Sequence, residues 1–226
     1  MVEPAKIAAQ TPKPQTGEPL PHESAKLHVT GEALYTDDIG TPAGALHAYV
    51  GLSQATHARI KHLNLDAVRN APDVVCVLTA SDIPGSSDIG PVYAGDPLIA
   101  SETVEFQGQI LFAVAAVSNK AARRAARLAE IEYEMLPAIL DSQTAHELES
   151  YVRPMHCQRR GDAKTAIAEA PMKLEGAFQS GGQEQMYLEG QVSLAIPDED
   201  GKMLVYSSTQ HPSEGQKLVA EVLRSE

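Results

Sequence analysis

Ser207-Ser208-Thr209-Gln210-His211-Pro212-Ser213-Glu214 stands where one apolar rhythm gives way to another. Upstream, from Met186 to Ile196, the even positions read Met, Leu, Gly, Val, Leu and Ile, while the odd positions read Tyr, Glu, Gln, Ser and Ala. Period-two alternation predicts a strand with one buried face. Pro197-Asp198-Glu199-Asp200-Gly201 is a turn cluster, and Met203 to Ser207 reads as the return strand. Downstream, Pro212 suits the first position of a helix and Glu214 its first turn, where the helix dipole favours an acid. Leu218, Val219, Val222 and Leu223 form the apolar stripe of that helix. Gln210 is thus expected between the end of a strand and the start of a helix. Exposed backbone N–H groups converge at such junctions and anionic cofactors often bind there, but the same pattern also describes an ordinary connecting loop.

Working back from that corner, Ile110 to Val117 is continuously apolar, as expected of a strand covered on both faces. Ser118 is placed to cap the following helix. Ala121, Ala122, Ala125 and Leu128 are expected to face inward, with Arg123, Arg124 and Arg127 on an exposed side. No glycine-rich cradle accompanies the arginines, so they are read as a solvated face and not as a phosphate site. Strands are also expected over Leu46–Leu52, Ala58–Leu65, Val74–Leu78 and Ile131–Glu134, with a short helix near Ala67. Cys76 falls within an apolar strand and is expected to be packed there. Asp141 to Ser150 reads as a short helix capped by Ser142, and Gly161-Asp162 as the start of another running to about Ala168. Met172, Leu174 and Phe178 alternate with polar neighbours and predict a further strand. Upstream of all these, His22 to Ile39 reads as a short helix stopped by Gly31, then a loop in which Asp37 and Asp38 are solvated or capping.

Composition narrows the function classes. Apolar residues make up 43% of 226, enough for a substantial core. Eighteen basic against thirty acidic side chains leave a net charge of −12, which argues against a nucleic-acid or anionic-membrane surface. No apolar run approaches the length of a membrane span. Cys76 and Cys157 make neither a disulfide framework nor a Cys-x-x-C pair, which fits a reducing cytoplasm. His156 beside Cys157 is a poor zinc site, because zinc takes four ligands and no second pair is spaced nearby. Residues 1–22 contain Pro4, Pro12, Pro14, Pro19 and Pro21 and are expected to form an extended or disordered arm.

Two stretches carry a family resemblance. Gly181-Gly182-Gln183-Glu184-Gln185-Met186-Tyr187-Leu188-Glu189-Gly190-Gln191 and Ser207 to Glu214 resemble the molybdenum-binding subunits of xanthine dehydrogenases, in the molybdenum hydroxylase family. One departure lies in the first stretch, where the family usually has His and an aromatic and this chain has Gln185 and Met186. The runs His57–Ile60, Val74–Gly85, Val104–Gln109 and Ile131–Pro137 are similar, in order and spacing, to the hammerhead domain that opens such subunits. The resemblance implies an α+β fold: a hammerhead-type α/β domain followed by the start of a mixed α/β molybdenum cofactor-binding domain. The expected divisions are 1–22 (arm), 23–145 (hammerhead), 146–160 (linker) and 161–226 (the beginning of the molybdopterin-binding domain).

The resemblance further implies oxidative hydroxylation of hypoxanthine or xanthine to urate, with electrons passing through iron-sulfur clusters and FAD to NAD. FAD and the 2Fe–2S clusters are expected on a smaller partner subunit, making a hetero-oligomer. Gln210 is the residue implied beside the molybdenum–molybdopterin, its amide facing an oxo group without being a direct metal ligand. The family's cofactor loop, purine-holding residues and base glutamate all follow the helix that begins near Pro212. No catalytic residue is therefore expected within these 226 residues, and Glu184, Glu189 and Glu214 are not taken as substitutes. On this view the chain is an N-terminal portion of a longer subunit and has no turnover alone. The alternative is a cofactor-free α/β interaction domain.

Overall fold

The computed structural model describes residues 17 and 19–224. Most of the proline-rich arm therefore lies outside the described residues; its end, Pro19 to Pro21, is exposed and has no regular structure. In chain order the helices are α1 (Ala25–Thr30), α2 (Asp66–Arg69), α3 (Asn119–Ala126), α4 (Ser142–Glu147), α5 (Ala163–Glu169) and α6 (Pro212–Leu223). The strands are β1 (His47–Leu52), β2 (Ala58–Asn64), β3 (Val74–Leu78), β4 (Thr103–Val104), β5 (Ile110–Ala116), β6 (Glu130–Met135), β7 (Ser193–Pro197) and β8 (Met203–Ser207). The described residues gather into two units, one falling within Thr41–Met186 and Thr209–Glu226, the other within Met1–Gly40 and Tyr187–Ser208.

The larger unit is built on β5. This strand lies between β1 and β3 and pairs antiparallel with both. Its central place explains its unbroken apolar sequence: Leu111, Val114 and Ala116 are wholly buried and Phe112 is 1% exposed. A second antiparallel sheet has the order β4-β2-β6. Helix α3 presents Ala121, Ala122 and Ala125 to the core, small side chains that let its backbone approach closely. Ser118 Oγ accepts the Ala121 N–H at 3.2 Å and starts the helix as expected. The arginine face is solvated, with two local partners. The Arg123 guanidinium lies 5.6 Å from the centroid of the Tyr49 ring, and Arg124 Nη2 is 3.9 Å from Asp73 Oδ2. Both contacts are exposed and contribute little to stability.

Asp88 organises the loop from Ser86 to Leu98. Its Oδ1 accepts from the N–H groups of Gly90 (2.9 Å) and Asp96 (3.2 Å), and its Oδ2 from that of Gly95 (2.6 Å). The bonds from Gly90, Gly95 and Asp96 hold its carboxyl below the ordinary aspartate value of 3.8, because each favours the charged form. As pH falls, the unfolded loop takes up its proton first. The loop's added stability is therefore complete above the ordinary value and is lost as pH falls through the lower folded one. Amide exchange at Gly90, Gly95 and Asp96 is expected to be faster in an Asp88→Ala variant at neutral pH, and the two proteins should converge in acid. Equal exchange rates at neutral pH would remove this role.

In the smaller unit, α1 stops at Gly31, whose φ of 73° is left-handed and whose N–H donates to the Leu27 carbonyl. A 3₁₀ turn follows at Thr36–Asp38, where Asp38 Oδ2 accepts the Tyr35 N–H at 2.9 Å, the capping role expected for that acidic pair. The β7–β8 hairpin pairs Ser193 with Ser207 through to Pro197 with Met203.

Several sequence expectations are corrected. Met172, Leu174 and Phe178 form no strand and are 88%, 103% and 93% exposed. A strand needs a partner for its N–H and C=O groups, and no described strand runs beside this segment. For the same reason the strand expected over Met186–Ile196 is confined to the part facing β8. Cys76 is exposed, not packed, because β3 is an edge strand of its sheet. Leu128 is exposed, since it follows the last turn of α3. The cap of α4 is Asp141, whose Oδ1 accepts the Thr144 N–H at 2.8 Å, not Ser142.

Candidate functional site

The approach to Gln210 is set by local chemistry. The turn between β7 and β8 reverses through Asp200 (φ 58°) and Gly201 (φ 75°). It is closed by the Asp198 N–H donating to the Lys202 carbonyl at 2.9 Å. Pairing continues just past the strands: the Ser208 N–H donates to the Val192 carbonyl at 3.1 Å, and Ser208 Oγ accepts the Val192 N–H at 3.0 Å. The chain then leaves the hairpin. Thr209 Oγ1 accepts the His211 N–H at 3.1 Å, and α6 begins at Pro212. Gln210 occupies the bend between the end of β8 and the start of α6, where the sequence placed it.

The Gln210 side chain is exposed and has no hydrogen-bond partner among the described residues. The His211 side chain does not cap α6, and Pro212 has no N–H. The remaining first-turn N–H groups and the positive end of the helix dipole thus stand beside a free amide. Such a donor set suits an oxygen-bearing anionic group: the amide donates a hydrogen bond without adding charge. These residues fit an outer contact to a molybdenum–pterin group. They do not make a metal cage, and no group of three or more His, Cys, Asp or Glu side chains among the described residues is arranged to hold a metal ion.

The acids set aside in the sequence have other places. Glu189 Oε1 accepts the Thr36 N–H at 2.9 Å, a structural bond within the smaller unit. Glu184 Oε1 accepts the N–H of its neighbour Gln185 at 3.2 Å in an exposed segment. Glu214 is half-buried in the first turn of α6, the position the dipole favours. Gln210 does not line the concavity of about 230 Å³ beside His57, whose walls include Thr56, Glu105 and Pro137. Two features escaped sequence reasoning. The Arg153 guanidinium lies 3.2 Å from the Tyr93 ring centroid, tying the segment that carries it to the Asp88 loop. The backbone of Gly85 and Ser86 meets the far end of α6. An Arg and a Tyr sixty residues apart give no sequence signal, and backbone contacts give none beyond the glycine itself.

Residues 30–137 match the family "Aldehyde oxidase and xanthine dehydrogenase, a/b hammerhead domain", and residues 144–226 match "Molybdopterin cofactor-binding domain". The chain belongs to the aldehyde oxidase and xanthine dehydrogenase family. Within that family it is 37% identical, over 91% of its length, to a xanthine dehydrogenase of Dictyostelium discoideum. It is 38% identical, over 92% of its length, to one of Oryza sativa subsp. japonica. It spans 15% of the length of either relative. Among solved structures, the aldehyde oxidoreductase of Desulfovibrio gigas superposes with a TM-score of 0.77 at 26% identity, covering 91% of this chain and 25% of that one. The expected fold class, a hammerhead α/β domain with part of a molybdopterin-binding domain, is borne out.

Proposed function

We propose that this chain is part of the molybdenum-binding subunit of a xanthine dehydrogenase, acting on hypoxanthine and xanthine. The observation that carries the proposal is the pair of domain matches, which follow one another along the chain, combined with 37–38% identity to xanthine dehydrogenases over most of the chain. When bound, the molybdenum–molybdopterin group supplies the oxidative hydroxylation. The task of this chain is to hold and polarise that group, with Gln210 donating a hydrogen bond from beyond the metal's own ligands. The proton-accepting base and the purine-holding side chains belong to polypeptide other than these residues. A partner chain would hold the 2Fe–2S clusters and FAD that carry electrons to NAD, in a cytoplasmic hetero-oligomer. The divisions 23–145 and 161–226 stand as the proposed domain bounds.

The test is direct. The complete complex should contain molybdenum and reduce dye when given hypoxanthine or xanthine, whereas the purified 226-residue chain should reduce none. Purine-dependent turnover by the 226 residues alone would overturn the division of labour. A complete complex without molybdenum would overturn the function itself.

A further inference from the structure

The carboxyl end of α6 is held by backbone groups from a distant part of the same unit. The Gly85 N–H donates to the Val222 carbonyl at 3.0 Å, and the Ser86 N–H to the Glu221 carbonyl at 2.9 Å. Both carbonyls lie in the last turn, where the only other backbone donor to either among the described residues is the Arg224 N–H, 3.4 Å from the Glu221 oxygen. The approach leaves no room for a side chain. A Cβ at Gly85 would overlap the Glu221 carbonyl oxygen and lie 2.8 Å from that of Val222. Gly85 does not have a left-handed φ. Glycine is needed there for closeness, not for backbone freedom.

Side chains hold α6 only weakly by comparison. None of its residues is buried; Leu218 and Val222 are half-buried, while Val219 and Leu223 are 38% and 46% exposed. The apolar stripe expected from the sequence is thus only partly covered, and the two backbone bonds fix where the helix ends. α6 has twelve residues, a rod about 18 Å long at 1.5 Å per residue. Its other end follows directly on Gln210 and His211.

We propose that Gly85 is a positioning residue for Gln210: by letting two backbone N–H groups seat the carboxyl end of α6, it sets the axial position and tilt of the rod that carries the amide. This rests on the role of Gln210 proposed above. A displacement of about 1 Å at a site far from the chemistry costs an enzyme up to about 100-fold. Because Gly85 acts through Gln210, its effect should not exceed that of removing the Gln210 amide.

The experiment compares Gly85→Ala, Gln210→Ala and the core control Val68→Ala in the complete molybdenum enzyme. It reads kcat and KM for xanthine, the paramagnetic signal of the half-reduced metal and, in cofactor-free protein, amide exchange across residues 212–224. Gly85→Ala is expected to speed exchange in the last turn of α6, to lower kcat by about 10-fold with little change in KM, and to alter the metal signal. Val68→Ala should lower the melting temperature and leave the metal signal as it was. If Gly85→Ala does not accumulate, Ser86→Pro removes one of the two donors and sets a ring methylene against the Glu221 carbonyl, and the same changes at α6, in kcat and in the metal signal are expected. A metal signal and kcat unchanged by the clamp variants but altered by Gln210→Ala overturn the positioning role alone. If neither the clamp variants nor Gln210→Ala move them, the Gln210 reading falls and takes the positioning role with it.

Discussion

Replacing Gln210 by alanine in the complete enzyme is expected to lower kcat by about 10–100-fold, the range typical when a partner just outside a metal's ligands is lost. The prediction is sharp because the substitution removes so little else. Gln210 is exposed and bonds to no described residue, so its truncation leaves neither a cavity nor a stranded partner, and surface changes of this kind stay within about 0.5 kcal/mol. The melting temperature and molybdenum content should therefore match those of the parent while turnover falls. Gln210→Glu separates two contributions of the amide: it keeps the length of the side chain but exchanges a neutral donor for a charged acceptor. If the amide acts by donating, Glu should be at least as damaging as Ala. Parent-like kinetics in both variants, with full molybdenum, would leave Gln210 as a loop residue.

What the sequence made legible divides along a physical line. Elements set by near neighbours were readable: β5 from its unbroken apolar run, α3 from the Ser118 cap and its alanine face, and α6 from Pro212 and Glu214. So were the apolar or alternating stretches that became β1, β2, β3 and β6; what a segment's own sequence does not show is whether a distant partner answers it and where it then stands in the sheet. The alternation of Met172, Leu174 and Phe178 is a strand pattern, but a strand is a relation between two segments, and no described segment answers this one. Cys76 was misplaced for a related reason: an apolar strand sequence does not reveal whether the strand lies at the centre or the edge of its sheet. At the candidate site, periodicity and turn chemistry located the corner that holds Gln210. Only the family resemblance attached a metal to it, because a neutral amide on a bend carries no chemical signature of its own. The clamp on α6 was invisible, since bonds between main-chain groups use atoms every residue has.

Phe112→Ala is expected to destabilise the chain by about 3–5 kcal/mol, as other buried phenylalanine truncations do. Three phenylalanines occur in the sequence, and they meet three environments: Phe106 is 54% exposed, Phe178 93% and Phe112 only 1%. Phe112 stands on the central strand opposite Gly51 of β1, and its ring fills the space that a side chain at Gly51 would occupy. Removing the ring therefore opens a void above a residue with nothing to put into it. Neighbouring strands on both sides resist collapse, which places the cost in the upper part of the range for large-to-small changes. Domains of this size have total stabilities of about 5–15 kcal/mol, so the loss is a large share of the whole. It should lower the melting temperature by on the order of 10 °C. Phe106→Ala and Phe178→Ala, made in parallel, should shift it by far less, since little apolar surface returns to water at either position. If Phe112→Ala melted within about 1 kcal/mol of the parent, or if Phe178→Ala cost as much, β5 would not be the centre of this core, because that is the spread expected of substitutions outside it.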